Sequence, residues 1–309
     1  MPMLFVSGCV NIVKVGIVGA ESFPISPSVT TQVKSEFDVE TRQFCDPELD
    51  CYHYYFLPNK ARKQTLEMHH NASFTDTTYS TSLLVERQGL PTFTGSVVVI
   101  HGFRGSKDWS LMTAAYFQFL GFDTYVFDLL GHGELKTDKG FGVHDVRYIQ
   151  RFIETNIDTT KPIIAVGNSM GGLVATSLTH EKIADGAILQ APMTQFDDSL
   201  EGYMKDKKPW YKAFLSDETI RSAANKALYD AGLNAQQTNT IDILKKSNSP
   251  FLIFASNVDS VSPYAAFSPL HSNNIEVVEI DKLEHAYMSM IGEFEHEKIL
   301  AWLSANFDE

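Results

Sequence analysis

The sequence has few cysteines and few basic residues. Its three cysteines, Cys9, Cys45 and Cys51, are too few for a disulfide scaffold, and no Cys-x-x-Cys or His-rich spacing indicates a zinc site. Only 25 Lys and Arg residues stand against 38 Asp and Glu residues, which gives a net charge of −13. Because nucleic-acid binding depends on basic residues that displace counterions from phosphates, nucleic acid is not expected as a partner.

Long apolar runs are also missing. No stretch reaches the roughly 18 apolar residues that a membrane-spanning helix requires. The hydrophobic fraction of 44% excludes wholesale disorder. The sequence therefore predicts a soluble, acidic protein of enzyme size.

Short apolar strands alternate with helical patterns along the second part of the chain. The predicted strands of this kind are 97–100, 124–127, 163–166, 187–189, 251–255 and 275–280. Continuous apolar strands between helices are typical of an α/β fold with a mostly parallel sheet covered on both faces. Two antiparallel strands are predicted before them, at 67–73 and 77–87.

Two segments stand outside this alternation. Residues 1–66 are predicted to be an N-terminal extension, of which residues 21–66 wrap the main domain. Residues 193–249 contain no convincing strand and are predicted to be a helical insertion between two strands. The core is then formed by residues 67–192 and 250–309. The apolar residues with helical spacing in the insertion are Ile220, Ala223, Ala224, Ala227 and Leu228.

A Gly-x-Ser-x-Gly motif is the strongest chemical signal. It runs from Gly167 to Gly171 and lies between a predicted strand and a helical pattern. A strand that turns sharply into a helix presents the central serine, Ser169, at the carboxyl edge of a sheet. The helix amino terminus then points free N–H groups at negative charge that develops beside it. Alone, the motif fits a tightly packed glycine turn equally well.

The partners that a nucleophilic serine needs follow in the chain. A serine hydroxyl requires a base that takes its proton and an acid that orients the base. Asp259 follows the strand at 251–255, and His285 follows the strand at 275–280. Both should therefore lie at the same sheet edge as Ser169. The order Ser, Asp, His predicts a catalytic triad.

An oxyanion hole is predicted beside the triad. The loop His101–Gly102–Phe103–Arg104–Gly105 directly follows the strand at 97–100. Such a loop usually supplies one of the two backbone donors. The N–H groups of Phe103 and Met170 are the candidates, and His101 is expected to support the loop rather than act as a base.

These motifs resemble those of the α/β-hydrolases, over residues 67–309. Within that superfamily the chain is similar to monoacylglycerol lipases and lysophospholipases. Leu130 and Asn168 stand where those families commonly have arginine and histidine. The matching stretches are HGFRG, FDTYVFDLLGHGE, GNSMGG, NVDSVSP and LEHAY.

The resemblance implies the α/β-hydrolase fold, with residues 193–249 as a cap over the active site. It also implies a serine hydrolase that cleaves a small-molecule acyl ester, such as an acylglycerol or a lysophospholipid, through an acyl-enzyme and without cofactor or metal. The cap aromatics that could line an acyl pocket are Phe196, Tyr203, Trp210, Tyr211 and Phe214. The sequence does not indicate an oligomeric state.

Two alternatives remain open. A serine aminopeptidase of the same fold would share the triad, and Asp197, Asp198 and Glu201 could then hold the substrate's ammonium group. A binding protein without catalysis is the more remote alternative, since all three triad members are present.

The amino terminus leaves the localisation open. Residues 6–9, Val-Ser-Gly-Cys, resemble the bacterial lipobox, in which the cysteine becomes the lipidated first residue of an exported protein. If the start codon lies upstream, Cys9 would attach the protein to a membrane surface, and Cys45 could pair with Cys51. The alternative is a cytoplasmic protein with three free thiols and an apolar amino-terminal strand.

Overall fold

Strands of a central sheet form the middle layer of the protein. The computed structural model describes residues 3–49, 51–59, 63–74, 77–207 and 215–308. The strands are β1 (Glu40–Cys45), β2 (Cys51–Leu57), β3 (Thr65–Phe74), β4 (Thr77–Glu86), β5 (Ser96–Ile100), β6 (Asp123–Val126), β7 (Ile163–Asn168), β8 (Gly186–Gln190), β9 (Phe251–Ser256) and β10 (Ile275–Ile280). Eight of them form one sheet in the order β1-β2-β6-β5-β7-β8-β9-β10.

The sheet is parallel from β6 to β10. All residues of β5, β8 and β9 are buried, as expected for strands that are covered on both faces. The predicted α/β class with a mostly parallel sheet is thereby confirmed. The predicted antiparallel pair is also confirmed, and β3 and β4 form a separate two-stranded sheet.

Helices cover both faces of the sheet. They are α1 (Met3–Val18), α2 (Pro27–Glu36), α3 (Leu111–Leu120), α4 (His144–Asn156), α5 (Met170–His180), α6 (Phe196–Lys207), α7 (Asp217–Asp230), α8 (Thr240–Leu244), α9 (Tyr264–Phe267) and α10 (Glu293–Phe307). Buried residues of α4 and α5, such as Phe152 and Leu173, belong to the hydrophobic cluster on one face. Phe117 of α3 and Trp302 of α10 belong to the cluster on the other face.

The N-terminal extension, part of which was predicted to wrap the main domain, also contributes two strands to the central sheet. Strands β1 and β2 extend the central sheet, and β2 pairs antiparallel with β6. Strand β1 lies at the edge, and five of its six residues are exposed, so its sequence carries no apolar alternation. Residues 3–18 form helix α1 rather than the strand of the cytoplasmic alternative.

A disulfide joins β1 to β2. Cys45 and Cys51 face each other in the strand register and are bonded, whereas Cys9 is a free thiol. The expectation of three free thiols is therefore wrong, whereas the localisation stays a prediction.

The segment 193–249 is helical where the structure describes it. It contains α6, α7 and α8, and neither 193–207 nor 215–249 includes a strand. Helix α7 begins after Ser216, whose side chain accepts the N–H of Thr219. Its buried residues include all five that the apolar spacing selected.

Candidate active site

Ser169 occupies the sharp turn between β7 and α5. Its φ of 52° and ψ of −115° form a strained conformation that non-glycine residues seldom adopt. The Ser169 N–H donates to the carbonyl of Gln190 at 3.0 Å, and its own carbonyl accepts the N–H of Met193 at 3.1 Å. Both bonds connect the turn to the end of β8 and to the residues that follow it. They hold Ser169 at the carboxyl end of the sheet.

The glycines of the motif are required by close packing. A Cβ on Gly167 would collide with the backbone of Gly171, and one on Gly171 would collide with the carbonyl of Ile100. The motif is therefore more than a chance pattern, since its spacing follows from the way strand and helix meet.

His285 and Asp259 lie beside Ser169 and are hydrogen-bonded in series. The Nε2 atom of His285 is 2.9 Å from the Ser169 Oγ, and its Nδ1 is 2.7 Å from the Asp259 Oδ2. A carboxylate can only accept, so Nδ1 carries the proton and the lone pair of Nε2 faces the serine hydroxyl. The structure thus brings together all three residues that the sequence predicts as a triad.

Asp259 is held rigidly below the histidine. It is buried, and its Oδ1 accepts the N–H groups of Val261 and Ser262 at 2.8 and 2.9 Å. Its second oxygen is thereby directed at His285. The carboxylate fixes the ring orientation and favours the imidazolium that a proton transfer from Ser169 would produce.

The predicted oxyanion-hole residues flank the serine. A Cβ on Gly102 would lie 2.9 Å from the Ser169 Cβ, so the backbone that leads into Phe103 passes directly beside the serine. The N–H of Met170 is the first of helix α5 and has no acceptor within that helix. In the described part of the chain, no loop or turn hydrogen bond engages the N–H of Phe103 or Met170.

His101 supports this loop, as the sequence predicts. The Nε2 atom of His101 accepts the N–H of Leu129 at 3.0 Å, so its Nδ1 carries the proton that is donated to the Gly102 carbonyl at 2.8 Å. Burial lowers the pKa of His101. A neutral ring with both nitrogens engaged cannot serve as a general base, but it fixes the loop that carries Phe103.

A large cavity opens over the serine. Its volume is about 710 Å³, and Ser169, His285, Phe103 and Met170 all lie in its wall. Most other lining residues are apolar. The lining residues from α6, from α7 and from position 215 include Phe196, Leu200, Tyr203, Met204, Leu215 and Ile220. Of the predicted cap aromatics, Phe196 and Tyr203 line the cavity, while Trp210, Tyr211 and Phe214 lie outside the described residues.

Helix α1 forms another part of the wall, which the sequence analysis did not anticipate. The available signal was the spacing of Ser7, Asn11 and Lys14, the polar residues of an otherwise apolar segment, which recur with the period of a helix. The lining residues from α1 and the following turn are Cys9, Ile12, Val13, Gly16, Ile17 and Ala20.

The carboxylates considered for an ammonium group are engaged elsewhere. The guanidinium of Arg221 forms ion pairs with Asp197, Asp198 and Glu201, and Lys205 also pairs with Glu201. None of the three acids lines the cavity. They stabilise the contact between α6 and α7.

The chain resembles known hydrolases in sequence and in structure. Residues 92–240, just under half of the chain, match the family model "Serine aminopeptidase, S33". No curated protein matches the chain. A Pyrococcus furiosus esterase superposes with a TM-score of 0.60 and 14% identity, over 93% of this chain and 95% of the esterase.

Two further structures agree with that match. A putative lipase from Acinetobacter baumannii gives a TM-score of 0.57 at 14% identity, over 93% of this chain and 98% of the lipase. A variant of a puromycin hydrolase gives 0.55 at 16% identity, over 92% of this chain and 40% of that protein.

The chain has the α/β-hydrolase fold. The resemblance on which the sequence analysis relied is confirmed at this level. The narrower similarity to monoacylglycerol lipases and lysophospholipases stays a prediction.

Two kinds of feature are not found among the described residues of this α/β-hydrolase. No helix there is long and apolar enough to cross a membrane. No group of three or more His, Cys, Asp or Glu side chains in those residues could hold a metal ion.

Proposed function

We propose that this α/β-hydrolase is a serine hydrolase that cleaves carboxylic acyl esters through an acyl-enzyme. The proposal depends above all on the series of hydrogen bonds from Ser169 through His285 to Asp259. Ser169 and His285 lie in the wall of an apolar cavity. An activated serine beside an apolar pocket suits a substrate with a polar ester and an apolar tail.

In the proposed reaction the Ser169 Oγ attacks the ester carbonyl carbon while its proton passes to the His285 Nε2. The negative charge on the carbonyl oxygen is stabilised by the N–H groups of Phe103 and Met170. His285 then protonates the leaving alcohol as the C–O bond of the ester breaks. A water molecule then attacks the acyl carbon while its proton passes to His285. His285 returns this proton to the Ser169 Oγ as the bond between Oγ and the acyl carbon breaks, so the carboxylic acid leaves and Ser169 is restored.

The apolar cavity wall favours an acyl chain as the occupant. Each methylene that leaves water contributes about 0.8 kcal/mol. Esters with longer chains, including monoacylglycerols and lysophospholipids, should therefore be better substrates than acetate until the cavity is filled.

The test is the Ser169→Ala variant with p-nitrophenyl esters from acetate to palmitate. Because the nucleophile is lost, we expect kcat to fall by more than about 10³-fold, with an unchanged unfolding curve. Wild-type protein should also bind a fluorescent fluorophosphonate at Ser169. Near wild-type turnover by Ser169→Ala would refute the proposed mechanism.

A serine aminopeptidase is the second candidate, because the matching family model carries that name. Asp206 and Glu284 are the carboxylates in the cavity wall, whereas the three acids predicted for this role are paired with Arg221 or Lys205. Aminoacyl p-nitroanilides distinguish the two functions. We expect acyl esters to give the higher kcat/KM, and the reverse order would support the aminopeptidase.

A further inference from the structure

Helix α1 presents one continuous face to the cavity. Its lining residues, together with Ala20 in the turn that follows, lie at positions i, i+3, i+4, i+7, i+8 and i+11 from Cys9, which is the repeat of a single helix face. Within this face Ile17 is buried, and Val13 packs against the buried cluster of the core. Val15 points away and is 65% exposed.

The helix is attached at two places. Lys14 forms an ion pair of 2.7 Å with Asp230 at the end of α7. Beyond its carboxyl end, the N–H of Phe23 donates to the Arg104 carbonyl at 2.8 Å, and the Arg104 guanidinium stacks on the Phe23 ring.

The contact with Arg104 joins α1 to the loop that carries Phe103, the predicted oxyanion donor, and a further bond reaches the same loop. The Ser22 hydroxyl donates to the carbonyl of Gly105 at 2.6 Å, and Gly105 is the last residue of that loop. The residues that follow α1 are thus hydrogen-bonded to the loop beside Ser169, and these bonds hold the carboxyl end of α1 near the serine.

We infer that α1 is part of the acyl-binding wall and limits the length of the chain that the cavity accepts. The inference rests on the proposed function, since it assigns the tail of the acyl substrate to the space between α1 and α6. Gly16 is the most informative position. It lines the cavity, and a Cβ built on it meets no atom within 4 Å.

A larger side chain at Gly16 would therefore enter the cavity without disturbing the fold. Leucine also favours a helix more than glycine does, so Gly16→Leu should fold at least as stably as wild type. Its four side-chain carbons would occupy space that the tail of a long acyl chain needs. A short acyl group near Ser169 does not extend that far.

The experiment measures kcat/KM for p-nitrophenyl butyrate and palmitate in wild type and Gly16→Leu. A hydrophobic pocket discriminates by about 10-fold or more for each misfitted methylene. We expect the palmitate-to-butyrate ratio to fall by at least about tenfold. Val15→Leu is the matched control on the exposed side of the same helix and should keep the wild-type ratio.

A second measurement separates this inference from the proposed catalysis. In the Ser169→Ala background, Gly16→Leu should weaken the binding of a fluorescent C16 fatty acid by about tenfold, while Val15→Leu should not. An unchanged ratio and unchanged binding in Gly16→Leu would overturn the role of α1 even if the protein is an esterase. If the protein with Ser169 intact shows no esterase activity but Gly16→Leu still weakens fatty-acid binding, the role of α1 would be supported and the proposed function contradicted.

Discussion

At the residue scale, a buried ion pair supports the loop next to the active site. Lys107 and Asp128 are both about 2% exposed. Asp128 accepts the Lys107 Nζ at 2.6 Å, the Lys107 N–H at 2.8 Å and the Glu134 N–H at 3.0 Å. Burial alone would raise the pKa of Asp128, but the Lys107 ammonium and the Glu134 N–H together hold it below its usual range.

The sign of the pH effect follows from this lowered pKa. A carboxyl whose pKa is lower in the folded state stabilises the fold above its unfolded pKa of about 3.9, and the stabilisation is lost as the pH falls through the folded pKa. Asp128→Asn removes the charge but keeps the shape, which leaves Lys107 buried without its main partner. We expect the free energy of unfolding at pH 7 to fall by about 3–5 kcal/mol.

Urea denaturation at pH 7 and at about pH 3 provides the check. The difference in the free energy of unfolding between wild type and Asp128→Asn should shrink at the lower pH, because below about pH 3.9 the unfolded wild-type carboxyl binds a proton that the folded carboxylate resists. Asp138→Asn is the control, since Asp138 lies in the same segment but is exposed. Equal stability of Asp128→Asn and Asp138→Asn at pH 7 would contradict the role of the pair.

At the element scale, a disulfide cross-links strands β1 and β2 at the edge of the central sheet. The Cys45–Cys51 bond closes a short loop, and strand β1 has no neighbour on its outer side within the described sheet. A disulfide limits the unfolded chain, and for a loop of this length the effect is roughly 2 kcal/mol. Strands β6 and β5 separate the hairpin from β7, which leads into Ser169.

We therefore predict that the double substitution Cys45→Ser and Cys51→Ser destabilises the protein by roughly 2 kcal/mol with little change in ester turnover. Urea unfolding should show the loss, and dithiothreitol should produce a similar loss in wild type but none in the double variant. Cys9→Ser is the matched control that leaves the disulfide intact. A double variant as stable as wild type would show that the bond contributes nothing to folding.

The elements that the sequence predicts are those with strong local signals. Strands β5 and β9 are buried on both faces, so their sequences are uninterrupted apolar runs. Strand β1 could not be recognised, because an edge strand with one buried residue shows no alternation. Helix α1 has the helical spacing, but its position over the cavity depends on distant contacts such as that of Lys14 with Asp230.

At the scale of the whole molecule, the parallel topology explains why the triad was predictable. Strands β7, β9 and β10 run in the same direction, so the residues that follow them meet at one edge. Ser169, Asp259 and His285 could thus be grouped from strand ends alone. The cavity wall could not be predicted in this way, because it combines side chains from α1, α6 and α7, which no local pattern connects.

The disulfide and the amino terminus together concern the compartment in which the protein resides. Disulfides persist mainly in oxidising compartments, so the Cys45–Cys51 bond agrees with export. The lipobox resemblance predicts in addition that Cys9 becomes the first residue and carries acyl chains. Helix α1 would then begin at Cys9, which lies in the cavity wall, and the lipid would hold that side of the molecule at a membrane surface.

Mass spectrometry of the native protein, isolated from its own source and alkylated without reduction, tests this prediction. Cys45 and Cys51 should remain unalkylated, because they are bonded to each other. The amino-terminal peptide should start at Cys9 and carry the added mass of acyl chains. An unlipidated chain that contains Met1 and has alkylated Cys45 and Cys51, recovered from the cytosol, would contradict export. The proposed hydrolase chemistry would be unaffected by that result, because Ser169, His285 and Asp259 do not depend on where the protein resides.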